Sequence, residues 1–212
     1  GNNTAAVVEE FERFDLKGVD AILSASPYYN KPTQEGIYQH YKVLAEHAPL
    51  PLILYNVPGR TASNMTAETT LRLAHTVENI VGIKEASGDL NQVMEIVKGK
   101  PSEFAVISGE DVLNFPIIAC GGIGVISVLA NTLPKLTADV VNLSLNSDNK
   151  KARDLHYSSI NFTNLLFAEG NPAGVKAALK IQGICDDEVR MPLMKASEKL
   201  FNELQQELKT LG

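Results

Sequence analysis

The chain has 212 residues, of which 44% are apolar and 21% are charged, and its formal net charge at pH 7 is −6. This composition is typical of a globular chain that buries a sizeable core. The net negative charge, without any basic cluster, argues against nucleic acid or an anionic membrane surface as a partner, and no apolar stretch reaches the roughly 20 residues of a membrane-spanning helix.

Helical and apolar segments alternate along the first part of the chain. The predicted helices cover Thr4–Lys17, Gln34–His47, Thr66–Thr76, Leu90–Lys98 and Val112–Cys120. The apolar runs that follow them are predicted strands: Ala21–Leu23, Pro51–Tyr55, Ile80–Lys84, Phe104–Ile107 and Ile123–Val128. Strands separated by helices of this length indicate βα units and a parallel sheet with right-handed crossovers. Beyond Pro134 the pattern is entirely helical, with helices predicted over 134–145, 148–167, 172–182 and 193–209.

Polar or aromatic residues lie at the carboxyl end of every predicted strand. They are Ser24–Tyr29, Tyr55–Asn56, Lys84–Glu85, Ser108–Glu110 and Ser127. In a (β/α)8 barrel these strand ends meet at one mouth, where active sites lie. An open, doubly wound sheet that binds a dinucleotide would carry a G-x-G-x-x-G turn after its first strand, and none is found.

The sequence therefore predicts an α/β fold, a (β/α)8 TIM barrel with a C-terminal helical extension. Residues 1–133 would hold the last five strands and their helices, and 134–212 the last barrel helix and the extension. On this interpretation the first three βα units are missing ahead of Gly1, since a typical barrel has about 250 residues.

Lys84 is the most informative residue, because it ends the apolar run Asn79–Ile83. A lysine whose stem lies among apolar residues loses hydration of its ammonium group, which lowers its pKa and makes the neutral amine accessible. A lysine that forms a Schiff base needs this property. The alternative is a lysine whose head reaches solvent or pairs with Glu85 or Asp89.

Three more side chains are predicted at the same mouth. Tyr55 ends its strand, and a phenol near an imine-forming amine can donate and accept a proton. Tyr29 precedes the turn-forming segment Asn30–Pro32, which could direct an aromatic ring away from its own barrel. Arg60 follows Tyr55 on a loop, where a guanidinium suits bidentate binding of a carboxylate.

Four segments carry a resemblance to a known family. They are Pro27–Gly36 (PYYNKPTQEG), Leu54–Thr61 (LYNVPGRT), Gly82–Asp89 (GIKEASGD) and Gly121–Val128 (GGIGVISV). Together they closely resemble the dihydrodipicolinate synthase family, pyruvate-dependent, class I aldolase-like enzymes of bacterial lysine and diaminopimelate biosynthesis. The resemblance extends through the helical tail, to Asn171–Pro172 and Met191–Leu193.

The resemblance implies a role for each candidate residue. Lys84 would form a Schiff base with pyruvate, and Tyr55 would donate and accept the protons of imine and enamine formation. Tyr29 would reach into the neighbouring subunit's site across a tight dimer interface. Arg60 would bind the carboxylate of the second substrate, L-aspartate 4-semialdehyde. The implied assembly is a homotetramer, a dimer of tight dimers, in the cytoplasm, with no metal or other cofactor.

Two more positions match residues that line the pyruvate pocket, Gly109 and Ile126, the latter through its main-chain groups. The chain also departs from the family. A threonine pair that follows an early strand in the family has no counterpart, since Thr69-Thr70 lies in a predicted helix. Ala6 stands where lysine-inhibited members carry a glutamate, while Asn2 and Tyr28 match, so regulation by lysine is in question.

Three alternatives remain. One is another pyruvate-dependent aldolase, such as an N-acetylneuraminate or keto-deoxy-sugar lyase, which the segment around Arg60 disfavours. Another is a phosphate- or flavin-binding barrel that uses Gly121–Gly124 as an anion site. The last is a binding homologue without catalysis, which the presence of Lys84, Tyr55 and Tyr29 disfavours. The scattered histidines, His40, His47, His75 and His156, predict no metal site, and the two cysteines, Cys120 and Cys185, are expected as reduced thiols of a cytosolic protein.

Overall fold

The computed structural model describes residues 1–211, which form two compact units. The first unit contains Gly1–Glu110 and Cys120–Ile126, and the second contains Asp111–Ala119 and the chain from Ser127 onward. In the described part of the chain, no helix has both the length and the apolar character needed to cross a membrane. The predicted division at residues 133/134 stays a prediction.

Five parallel strands make one sheet in the first unit. Strands β1 to β5 are Ile22–Ala25, Leu52–Asn56, Ile80–Glu85, Ala105–Ser108 and Gly124–Val125. Their spatial order, β1-β2-β3-β4-β5, is the order of the chain. In a doubly wound sheet the strand order reverses at a switch point, whereas a barrel adds each new strand beside the last. The order therefore favours the predicted barrel.

The helices of the first unit begin where the sequence places helix caps. Helices α1 to α5 are Thr4–Arg13, Gln34–His47, Pro58–Thr61, Ala67–Thr76 and Leu90–Gly99. Side chains of Asn3, Thr33, Thr66 and Asp89 cap four of them by accepting backbone N–H groups. The short helix α3 was not predicted. Helix α1 ends at Arg13, before the predicted Lys17, because Phe14 is extended and the Asp15 side chain binds the N–H of Lys17.

The two faces of the sheet differ in burial, which separates structural residues from candidate site residues. On β2, Leu52, Leu54 and Asn56 are fully buried, whereas Ile53 and Tyr55 are only partly buried. The helices on this side include α4, which packs against β3 and supplies Leu73, and α2, which packs against α4 and supplies Leu44, and neither leucine has exposed surface. Since side chains alternate along a strand, the other face is the barrel interior.

The second unit is helical, as predicted. Its helices α6 to α10 are Asn114–Ala119, Pro134–Leu145, Asn149–Phe167, Ala173–Ile181 and Glu198–Leu211. Phe162, Leu166, Ala177 and Leu204 are fully buried in its core. A Cβ atom on Gly174 would lie 2.3 Å from the carbonyl oxygen of Leu166, so the close contact of α8 and α9 requires glycine there.

Two predicted segments around β5 are wrong in extent. The helix predicted over Val112–Cys120 is a 3₁₀ turn, Asp111–Leu113, followed by α6, which ends at Ala119. The strand predicted over Ile123–Val128 is reduced to Gly124–Val125. Its last part leaves the sheet because the Asp111 carboxylate binds the N–H groups of Val128 and Leu129, at 2.8 and 2.9 Å. A buried carboxylate thus replaces a neighbouring strand as the acceptor.

Candidate active site

Lys84 and Tyr55 lie side by side at the carboxyl ends of neighbouring strands. The two residues are partners in the register of β2 and β3, and both are partly buried on the inner face of the sheet. The Nζ atom of Lys84 lies over the Tyr55 ring, 4.2 Å from its centroid. An amine and a phenol at this separation, on adjacent rigid strands, can share one small substrate.

The surroundings of Tyr55 keep its phenol protonated. Burial raises the pKa of Tyr55, and the negative charge of Glu110 adds to the rise, while the positive charge of Arg60 opposes it. The net direction is upward, because loss of hydration disfavours the phenolate. Tyr55 therefore meets a ligand as an O–H donor at neutral pH.

Gly109 packs directly against the stem of Lys84. A Cβ atom at position 109 would lie 2.8 Å from Cε and 2.9 Å from Cγ of Lys84, and 2.9 Å from the Cβ atom of Ala86. The N–H of Gly109 donates to the carbonyl of Glu85 at 2.8 Å, which continues the sheet beyond the end of β4. The absence of a side chain at Gly109 therefore makes room for Lys84.

Arg60 lies in the short helix α3, immediately after the segment that follows Tyr55. Pro58 begins this helix and Ala62, in the left-handed conformation with φ 57°, ends it. The guanidinium is exposed, and its charge acts on the Tyr55 phenol. The structure therefore brings Arg60 close enough to Tyr55 for its charge to act on the phenol.

Tyr29 is not brought against Lys84 within the chain. Its backbone is in the left-handed region, with φ 72°, and its side chain is 86% exposed. The N–H of Tyr29 donates to the carbonyl of Thr61 at 3.4 Å, which ties its loop to α3. A large aromatic ring held in solvent by a strained backbone is typical of a residue that contacts another molecule.

Ile126 follows β5, and its N–H donates to the carbonyl of Ser108 at 2.9 Å. Its side chain is 38% exposed. The Asn2 side chain donates to the carbonyl of Tyr28 at 3.3 Å, and Ala6 is exposed on α1. The expectation about regulation by lysine stays a prediction.

The structure also places the other residues that the sequence analysis singled out. Thr69 and Thr70 lie in helix α4, as predicted. Gly121 has φ 111°, and a Cβ atom there would lie 2.8 Å from Val97 Cγ1, so the turn and the close packing both favour glycine at this position. Among residues 1–211, no group of three or more His, Cys, Asp and Glu side chains is arranged to hold a metal ion.

A buried polar network behind Lys84 and Tyr55 was not predicted. Glu85, Asn56 and Gln92 are 1%, 0% and 8% exposed, and the Glu85 carboxylate accepts hydrogen bonds from the side-chain amides of the other two. The signal was present in the sequence, since Asn56 and Glu85 directly follow Tyr55 and Lys84 at strand ends. Asp89, one of the two residues that the sequence offers as an ion-pair partner of Lys84, caps helix α5.

Comparison with known proteins identifies the family of this chain. The model of the dihydrodipicolinate synthetase family matches residues 1–211. Over 204 residues the chain is 52% identical to 4-hydroxy-tetrahydrodipicolinate synthase of Flavobacterium psychrophilum, covering 96% of this chain and 70% of that protein. For the Phocaeicola vulgatus enzyme of the same name, the identity is 51% and the coverage is 96% and 68%.

Solved structures agree with these relatives. Dihydrodipicolinate synthase from Aquifex aeolicus superposes with a TM-score of 0.95 at 38% identity, covering 100% of this chain and 72% of that one. The Acinetobacter baumannii enzyme, solved in complex with pyruvate, superposes with a TM-score of 0.93 at 42% identity, covering 98% and 71%. The five strands and the C-terminal helices are thus part of a TIM barrel with its helical extension. The chain belongs to the dihydrodipicolinate synthetase family.

Proposed function

We propose that this chain catalyses the 4-hydroxy-tetrahydrodipicolinate synthase reaction, the condensation of pyruvate with L-aspartate 4-semialdehyde, with Lys84 as the Schiff-base lysine. The observation that carries the proposal is the position of the Lys84 amine, 4.2 Å from the Tyr55 ring at adjacent strand ends. The names of the relatives and the pyruvate complex of one of them support the choice of substrates.

The proposed chemistry begins at Lys84. Its amine attacks the ketone carbon of pyruvate, and the oxygen leaves as water to give an iminium. The iminium withdraws electrons from the adjacent methyl group, and loss of a proton from that carbon converts the iminium to an enamine. The enamine carbon attacks the aldehyde of the second substrate, whose own amine then displaces Lys84 and closes the ring. The iminium nitrogen is the electron sink of this scheme, and the proposal includes no cofactor.

Tyr55 is the proposed proton donor for the loss of water. Its raised pKa supports this role, because a protonated phenol can deliver its proton to the departing hydroxyl group. Arg60, exposed at the same end of the sheet, is proposed to bind the carboxylate of L-aspartate 4-semialdehyde. Gly109 and Ile126 are proposed to line the pyruvate pocket, Gly109 by leaving space beside Lys84.

Tyr29 is proposed to complete the site of a neighbouring subunit in a tight dimer, two of which form a tetramer. Its exposed ring and left-handed backbone support an intermolecular contact. A self-complementary twofold contact is the usual arrangement for subunits that exchange a residue. The proposed compartment is the cytoplasm, where free thiols such as Cys120 and Cys185 stay reduced.

Reduction with borohydride tests the proposal. In the presence of pyruvate, borohydride should convert the imine to a stable amine, and peptide mass mapping should find the added mass on the peptide with Lys84. The Lys84→Arg variant should not be labelled, whereas Lys98→Arg, altered on helix α5, should be labelled like the parent chain. Labelling of another lysine would contradict the assignment. Cleavage of N-acetylneuraminate by the parent chain would favour the sugar lyase alternative.

A further inference from the structure

The carboxylate of Glu85 is buried behind the proposed site and held by neutral donors. Its Oε2 atom accepts from Asn56 Nδ2 and from Gln92 Nε2, both at 3.1 Å. Its Oε1 atom accepts from the N–H of Ser87 at 2.6 Å and from Asn56 Nδ2 at 3.3 Å. Burial of a carboxylate is costly, so each of these donors is needed.

The network extends from Glu85 to the segment that follows α3. Asn56 Nδ2 also donates to Asn64 Oδ1 at 2.8 Å, and Asn56 Oδ1 accepts from the N–H of Met65 at 3.0 Å. Asn64 Nδ2 in turn donates to Gln92 Oε1 at 2.9 Å. Three elements, β2, β3 and α5, are thereby joined through the buried side chains of Asn56, Glu85 and Gln92, and the exposed Asn64 closes the network on its solvent side.

The network lies on the opposite face of the same strand ends that carry Lys84 and Tyr55. Asn56 directly follows Tyr55, and Glu85 directly follows Lys84, so each pair lies on opposite faces of one strand end. A rotation of either strand end that moved Tyr55 or Lys84 on the inner face would have to break hydrogen bonds on the outer face. The main-chain bond from Ala86 N–H to the Asn56 carbonyl, at 2.9 Å, ties the same two strand ends together.

We propose that Glu85, held by Asn56 and Gln92, is a positioning residue that fixes the separation of Lys84 and Tyr55 by locking the carboxyl ends of β2 and β3. This inference rests on the proposed Schiff-base function, because that function makes the separation matter. A displacement of about 1 Å can reduce the rate of a reaction by roughly 100-fold when two groups act together. A role in stability alone would leave the chemistry of folded molecules unchanged.

The Glu85→Gln variant tests the network with no change of side-chain shape. The new amide presents N–H groups where the carboxylate accepted, so one of the donors from Asn56 or Gln92 faces another donor. We expect the rate of borohydride trapping at saturating pyruvate, per folded molecule, to fall about 10-fold. The half-saturating concentration of pyruvate should change less than about twofold, because the network does not contact the ligand.

A second variant restores the pairing. In Glu85→Gln/Gln92→Glu, the new amide at 85 keeps its oxygen for Ser87 N–H and Asn56, and its nitrogen donates to the new carboxylate at 92. We expect the trapping rate to return to within about threefold of the parent rate. Tyr38→Phe is the control, because it removes a partly buried 3.1 Å side-chain hydrogen bond to Thr76 in the same unit and should leave the trapping rate unchanged.

The outcomes separate positioning from stability. A Glu85→Gln variant that is folded and traps pyruvate at the parent rate would overturn the inference. The same conclusion would follow if Tyr38→Phe slowed trapping equally, or if the double variant stayed as slow as Glu85→Gln.

If the parent chain itself traps no pyruvate, the proposed function fails, and a crystal structure of Glu85→Gln then decides the inference on geometry alone. A shift of the Lys84 amine or the Tyr55 ring supports positioning, whereas an unchanged 4.2 Å separation refutes it.

Discussion

Tyr55 shows how one residue acquires its role from two opposing effects. Burial removes water from the phenol and raises its pKa, while the positive charge of the Arg60 guanidinium, on the short helix α3 that follows β2, stabilises the phenolate and opposes the rise. Burial is the larger effect, so the folded protein holds the O–H form more firmly than an exposed tyrosine would. The site therefore presents a donor beside the Lys84 amine.

Removal of this donor should slow imine formation. Tyr55→Phe is expected to reduce the rate of borohydride trapping by about 100-fold, since a positioned general acid contributes roughly 10²–10⁴ in rate. Because the pKa of Tyr55 is raised, any loss of the parent rate that comes from phenol ionisation should begin above about pH 10, and the phenylalanine variant should lack it. Tyr38→Phe, which loses a hydroxyl contact with Thr76, is the control and should trap normally. An unimpaired Tyr55→Phe variant would exclude Tyr55 as the acid.

Arg60 should matter for the second substrate alone. Removal of a charge-assisted contact costs about 1.5–3 kcal/mol, so Arg60→Ala is expected to lower kcat/KM for L-aspartate 4-semialdehyde by roughly 10- to 100-fold. Trapping of pyruvate should survive, because imine formation precedes the second substrate. Arg72→Ala, which removes an exposed ion pair with Glu35, is the matched control and should retain kcat/KM. Loss of pyruvate trapping in folded Arg60→Ala would reassign Arg60 to the pyruvate pocket.

At the scale of the elements, local signals were sufficient for some boundaries and distant contacts decided others. Helix α2 was predicted at its observed bounds, Gln34–His47, because its cap, Thr33, precedes it in the sequence and binds the Gly36 N–H. Helix α10 was predicted to begin at 193 and begins at Glu198. Ser197 caps this start by accepting from the N–H of Leu200 at 3.1 Å, and Glu169, distant in sequence, holds the cap by accepting from the N–H of Ser197 at 2.7 Å.

The candidate site divides in the same way. Lys84 and Tyr55 were predictable, because each ends an apolar strand and parallel strands end at one edge of the sheet. The network of Glu85 was not, since its donor Gln92 comes from helix α5 and its position depends on how that helix packs. Periodicity identifies which face a residue occupies but not which side chain it meets there.

The Gly109→Ala variant tests how closely the end of β4 packs against the side chain of Lys84. In Gly109→Ala the new methyl group would meet Cγ and Cε of Lys84 and the Cβ atom of Ala86, all within 2.9 Å. We expect a loss of about 1–3 kcal/mol in the free energy of unfolding, and a trapping rate reduced about 10-fold because Lys84 is displaced. Gly124→Ala, on β5, is the control, because nothing lies within 4 Å of the added atom. Equal trapping by the two variants would show that Lys84 has room to move.

At the scale of the whole molecule, the contacts within a single chain do not explain why the ring of Tyr29 is held in solvent. Its ring is 86% exposed, yet its loop is held to Thr61, next to Arg60. The exposed ring is therefore fixed in direction by the same short helix that carries the guanidinium. This arrangement is explained if the ring enters the site of a second subunit, as the resemblance to the family implied.

Mixed subunits test this sharing. Tyr29→Phe and Lys84→Ala chains should each be inactive alone, the first because every site lacks the phenol and the second because every site lacks the amine. In a twofold dimer of one chain of each kind, the Tyr29→Phe subunit keeps Lys84 and receives Tyr29 from its partner, so one of the two sites is complete. Random exchange of equal amounts makes half of the dimers mixed, and the mixture should recover about a quarter of the parent activity. Subunit exchange must be verified by mass labelling of one variant. If exchange is complete and no activity returns, Tyr29 acts within its own chain or not at all.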